Sequence, residues 1–244
     1  MAASPVGRGP VLVVSAHAAD FVWRAGGALA LSASRGQPVH VLCLTFGERG
    51  ESQALWKQPG MTLERAKETR RDEARRAAEI LGAEIEFLDA GDYPLRATDD
   101  LHDHVTTTIR RVDPAVIITH PARDPYNLDH SLAHEIVLRA RMVAQAAGHD
   151  PQTRPIGAPN VLQFEPHQPE QCGFVPNLLL DVSTVFDRKI EAMRIMGAQS
   201  HLVAYYTDLG LRRGVQAVRN GGDRSITHAE AFQRIFPVVG GELL

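Results

Sequence analysis

Apolar and polar positions along this chain are grouped into blocks of two different periods. Val11 to Val14 form an apolar run without polar alternation, the pattern of a strand buried on both faces of a parallel sheet. A short break follows, and from Phe21 to Ser34 the apolar residues recur at helical spacing. Pro38 to Phe46 reads as a second buried strand. Thr62 to Leu81, rich in Ala, Glu, Arg and Leu, reads as a long amphipathic helix capped by Thr62 and stopped by Gly82. A short strand is expected at Glu84 to Leu88, a turn at Asp89 to Pro94, a helix at about Asp99 to Arg111, and a further buried strand at Ala115 to Thr119. Strands are also expected at Val161 to Glu165 and Leu178 to Val182, and helices around Lys189 to Met196 and at Ala229 to Phe236. Strands alternating with helices indicate an α/β class with a mainly parallel sheet.

In such sheets ligands bind beyond the carboxyl ends of the strands, so the residues that end each apolar run are the ones to inspect. His17 and Asp20 follow the first run, and an imidazole with a carboxylate is half of a common catalytic zinc site. Asp20 has a plainer reading as a helix N-cap. Gly26 and Gly27 do not make a Gly-x-Gly-x-x-Gly loop, which argues against a dinucleotide site and leaves close packing as their role. Gly47, Glu48, Arg49 and Gly50 end the second strand, and Glu48 there either faces the site or is a solvated loop carboxylate. After Ala115 to Thr119 comes HPARDPYNLDHSLAHE, which supplies His120, Asp124, Asp129, His130 and His134 as metal candidates. Not all can be ligands; Asp129, beside His130, is expected to receive an imidazole N–H and fix its tautomer. His102 and His104 sit two apart on a helix and point to different faces, as surface residues do. His167 stands in a polar loop after another strand, where acid/base chemistry would need it or where it is simply exposed.

Composition narrows the function. At 244 residues with 44% hydrophobic content, the chain suits one domain spanning 1–244. A formal charge of -3 without a basic block argues against nucleic-acid binding. Two cysteines, Cys43 and Cys172, show no metal spacing and no disulfide framework, and no apolar run is long enough for a membrane span, so a cytoplasmic protein without a membrane partner is expected. Pro151 to Pro159 is a clear loop, an insertion or a subunit contact, and a homo-oligomer is expected.

Taken together, AHAADFVWRAGG, the Arg70 and Glu73 pair, the Asp129 and His130 pair and PNLLLD resemble the PIG-L or LmbE-like zinc-dependent N-acetylglucosaminyl deacetylases, whose opening motif is Ala-His-Pro-Asp-Asp-Glu. The resemblance implies a Rossmann-like three-layer fold and Zn2+ held by His17, Asp20 and His130. Two positions depart from it. The family's general base is Ala19 here, and the histidine three residues before the metal-binding one is Asn127. Loss of positioned proton transfer is typically worth about 100-fold to 10,000-fold in rate, which disfavours deacetylation. GERGES and FEPHQPEQCGF, with the opening motif, resemble a branch of the family that hydrates the C=C bond of 4-oxalomesaconate to 4-carboxy-4-hydroxy-2-oxoadipate in gallate and protocatechuate ring cleavage. That branch implies a small tricarboxylate substrate, Glu48 and His167 as acid and base, and Arg24, Arg49, Arg70 and Asn127 as substrate contacts. A deacetylase with a recruited base and an inactive metal-binding homologue are the competing readings.

Overall fold

The computed structural model describes residues 9–239. Seven strands form one sheet in the order β3-β2-β1-β4-β5-β7-β6. In chain order the elements are β1 (Val11–Ser15), α1 (Asp20–Ser34), β2 (Val39–Cys43), the short α2 (Gln53–Trp56), α3 (Leu63–Leu81) and β3 (Glu84–Phe87). Then come α4 (Asp99–Val112), β4 (Val116–Thr119), α5 (Leu128–Ala144), β5 (Asn160–Phe164), α6 (Pro169–Cys172), β6 (Leu178–Asp181), α7 (Phe186–Ile195), α8 (Leu202–Arg219) and β7 (Ala229–Arg234). The first five strands in sheet order run parallel, and β7 is antiparallel to both β5 and β6.

Residues of β1 show why the sheet has three layers. Val11 and Val13 pack into a core with α1, α3 and α7, while Leu12 and Val14 pack into a second core with α4 and α5. Successive side chains of a strand point to opposite faces, so an uninterrupted apolar strand requires helices on both sides. The long α3 begins at Thr62, whose hydroxyl accepts from Arg65 N at 3.3 Å, and ends at Gly82 in the left-handed conformation with φ 76°. Gly26 and Gly27 allow α1 to lie close to its neighbours: a Cβ on Gly27 would stand 2.9 Å from Val182 Cβ.

Two elements differ from expectation. Ala229 to Phe236 is not a helix: Ala229–Arg234 is a strand, inserted between β5 and β6. Its Ala, Glu, Gln and Arg favour helix locally, but Glu230 is bound from another layer, with its carboxylate accepting from Gly27 N at 2.8 Å, Ala28 N at 2.7 Å and Lys189 Nζ at 2.7 Å. Tertiary pairing outweighs weak propensity. The second difference is α8, where the sequence reading placed no element and which includes Gly210 and Gly214. A Cβ on Gly214 would sit 2.3 Å from Thr227 O, so the glycine admits the backbone leading into β7.

Candidate active site

Loops at the carboxyl ends of β1, β2, β3, β4 and β5 converge on one region. His17, Asp20 and His130, all buried, bring their ligating atoms within 4.8 Å of one another, and no other such group of His, Cys, Asp or Glu occurs among the described residues. The pattern of satisfied and unsatisfied nitrogens identifies the open valences. His17 Nε2 is 3.4 Å from Asp129 Oδ2 and His130 Nδ1 is 2.8 Å from Asp124 Oδ2, while His17 Nδ1 and His130 Nε2 have no hydrogen-bond partner. Each imidazole is therefore oriented by a carboxylate on one nitrogen and left free on the other, as in metal-ligating histidines. Asp129 orients His17 rather than its chain neighbour His130, and Asp124 serves His130, because consecutive side chains at the start of α5 diverge around the helix. Asp129 is fixed in turn by the amides of Tyr93 and Leu95, each at 2.9 Å.

Electrostatics point the same way. Burial alone would lower the His17 imidazole, but Asp129 and Asp20 raise it to about 10. Burial would raise Asp20, yet His130, with a hydrogen bond from His17, holds its carboxyl well below the usual range. Two imidazoles plus a carboxylate with an open side is a donor set that fits zinc. Asp20 does not cap α1: its Oδ2 accepts from His17 N at 2.9 Å, and no side chain caps that helix. His120 stands outside this group: its Nε2 accepts from Ala16 N at 2.9 Å, and burial, together with His130, keeps the ring neutral. His134 turns away to His120 O.

A cavity of about 320 Å³ opens beside His130 and Asp124. Arg24, Glu51, Asn127 and His167 line it with Tyr93, Tyr126, Gln168 and Leu202. Of the three arginines expected to contact substrate, Arg24 alone reaches the lining. Arg49 is half exposed and bonds Asp92 O and Glu48 Oε1, and Arg70 is wholly buried against Glu73 and Gln199. Glu48 is also absent from the lining. Its carboxylate is buried beside Arg49, and burial with the nearby Asp92 raises its pKa. The carboxylate that the GERGES loop presents is Glu51. Gly47 turns the chain at φ 67°, Asp92 binds the amides of Arg49 and Gly50, and Ser52 Oγ closes back on Gly47 O at 2.7 Å, so residues 48 and 51 face different ways.

Glu51 accepts from Tyr93 Oη at 3.3 Å, Asn127 Nδ2 at 3.0 Å and Gln199 Nε2 at 2.7 Å. Asn127 thus caps α5 through its Oδ1 and holds Glu51 through its amide. Sequence reading missed Glu51 and Gln199; the acidic residue within GERGES was the available signal for the first, and nothing local marks the second. His167 is gripped by two tyrosines: Tyr205 Oη donates to its carbonyl at 2.9 Å and Tyr206 Oη lies 3.4 Å from Nδ1. Burial raises Tyr206, which therefore stays protonated and donates, leaving the His167 proton on Nε2. Burial of its inner face and the Arg24 guanidinium push His167 down to about 3.

Comparison with known proteins fits this geometry. The family model for GlcNAc-PI de-N-acetylase, PIG-L, matches residues 12–141. The chain belongs to the PIG-L family. This PIG-L protein is 52% identical over 231 residues to a 4-oxalmesaconate hydratase of Pseudomonas putida, covering 93% of this chain and 90% of that one. The crystal structure of a 4-carboxy-2-hydroxymuconate hydratase from Pseudomonas putida KT2440 superposes with a TM-score of 0.94 at 51% identity, over 96% of this chain and 99% of that one. A probable N-acetyl-alpha-D-glucosaminyl L-malate deacetylase of Bacillus cereus is 27% identical over 75% of this PIG-L chain and 80% of its own.

Proposed function

We propose that this protein is a metal-dependent hydro-lyase that adds water across the C=C bond of 4-oxalomesaconate, giving 4-carboxy-4-hydroxy-2-oxoadipate. The observation that carries the reading is the exchange of proton-transfer groups within one site: a buried methyl at Ala19, and in the cavity Glu51 held by three donors opposite His167. The 52% identity to a hydratase over most of both chains supports it over amide hydrolysis.

Zn2+ is the metal we assign to His17, Asp20 and His130; when bound it would act as a Lewis acid toward substrate oxygens. The chain's own groups supply the rest. Arg24, buried with its guanidinium at the cavity, takes a substrate carboxylate, for which its planar fork is suited. Glu51 takes the proton of the attacking water as the hydroxyl adds to the carbon β to a carboxylate. Negative charge then spreads over that carboxylate as an enediolate, and His167 Nε2–H donates to the developing charge. Protonation at the α carbon completes the addition, with Glu51 returning the proton. A cytoplasmic location and a part in catabolism of gallate and related aromatics belong to the same proposal.

The test is an ultraviolet assay for loss of the conjugated alkene, run with metal-replete protein and 4-oxalomesaconate beside an assay of acetate release from N-acetylglucosaminides. Alkene loss without acetate is the expected result. Acetate release with an unchanged alkene would overturn the reading.

A further inference from the structure

The Arg-x-x-Glu pair of α3 bonds not to the cavity but to the turn at residues 197–199. Glu73 Oε2 accepts from Arg70 Nη1 at 2.7 Å and Glu73 Oε1 from Ala198 N at 3.0 Å. Arg70 Nη2 then donates to Gln199 Oε1 at 3.2 Å, and Trp23 Nε1 donates to the same oxygen at 3.3 Å. A guanidinium and an indole N–H can only donate, so the Gln199 amide has one possible orientation, with its oxygen toward them and its nitrogen toward Glu51 Oε2 at 2.7 Å. Asn127 is fixed in the same way, because its Oδ1 accepts from Asp129 N and only Nδ2 is left for Glu51. Tyr93, raised by burial and by Glu51, keeps its proton and donates as well.

We infer that Gln199 is a positioning residue that keeps Glu51 aimed into the cavity, and that Arg70 and Glu73 serve to hold Gln199. Its polarity is set from the protein interior and read out on the cavity carboxylate. The groups facing Glu51 are Tyr93, Asn127 and Gln199, with the charges of Arg24 and His17 close by and Arg70 behind Gln199. The kinetic consequence rests on the hydratase reading; the hydrogen bonding of Glu51 by Gln199 does not.

Two metal-replete variants test this, Gln199→Glu and Gln199→Met, with Glu51 titrated by carboxyl-13C NMR and its resonance assigned by its loss in Glu51→Gln. Gln199→Glu retains an acceptor for Arg70 and Trp23 but sets a second carboxylate against Glu51, and two carboxylates that close cannot both ionise. The Glu51 pKa is expected to rise by at least about one unit, and kcat at neutral pH to fall roughly tenfold or more with KM little changed. The acid limb of the kcat profile should move with the NMR titration. Gln199→Met removes a donor without adding charge, so a smaller rise in the same direction is expected. Titration of Glu51 as in the wild type in both variants would overturn the inference, whether or not the protein hydrates 4-oxalomesaconate. Absence of hydration by the wild type would sink the functional reading alone.

Discussion

His17 and Asp20 were legible in the sequence because they follow directly on a buried strand, whereas His130 was one of five candidates after the next strand and was singled out by the family resemblance alone. Which carboxylate serves which histidine was not legible: Asp124, six residues from His130, reaches it, whereas the adjacent Asp129 turns to His17. Removing these partners gives graded effects. Asp20→Ala should abolish stoichiometric zinc, whereas Asp124→Ala should weaken zinc affinity by about 10-fold to 100-fold, the usual cost of an orienting carboxylate, both read by competition with a chromogenic chelator. Arg24→Ala should raise KM by roughly 10-fold to 100-fold, as expected for a lost charge-assisted bond to a substrate carboxylate, with a smaller effect on kcat. His167 carries a pH signature. Its buried inner face and Arg24 push its pKa down toward about 3 while its exposed outer face screens part of that shift, so between the lowered value and about 6.5 the unfolded chain binds more protons. The stability tied to its neutral form is complete above about pH 6.5 and is lost as pH falls toward 3. His167→Asn should therefore show a shallower loss of denaturant stability over that interval than the wild type, and equal slopes would remove the claim.

At the scale of elements, the parallel strands and the helices α1, α3, α4 and α7 follow from apolar period and caps, and their ends fall within a few residues of the sequence reading. β7 does not, because the information that makes it a strand lies in Gly27, Ala28 and Lys189, far away in the chain. Glu230→Gln tests that account. Breaking a buried ion pair from one side typically costs about 3 to 5 kcal/mol, which for a domain of this size lowers Tm by on the order of 10 °C. A Tm within a degree or two of wild type would show that β7 is held by its strand pairing alone. The same logic separates Glu48 from Glu51. Local sequence places both in one charged loop at a strand end; only the backbone turn at Gly47 and the anchoring by Asp92 decide which one reaches the cavity.

For the molecule as a whole, the sheet acts as a platform that carries five loops to one edge, and the chemistry changes when those loops exchange residues while the platform stays. No described helix is long and apolar enough to cross a membrane. This PIG-L chain has a buried methyl at Ala19, brings His17, Asp20 and His130 together, and presents Glu51 and His167 to the cavity from the loops after β2 and β5. The central claim is that this exchange converts the site to hydration, with Glu51 as the base. The measurement that tests it most directly is kcat for alkene loss from 4-oxalomesaconate in wild type, Glu51→Gln and Glu48→Gln, each with its zinc content verified. The account predicts a fall of about 100-fold to 10,000-fold for Glu51→Gln and a rate near wild type for Glu48→Gln. A near-wild-type rate for Glu51→Gln, with the loss appearing in Glu48→Gln, would contradict it.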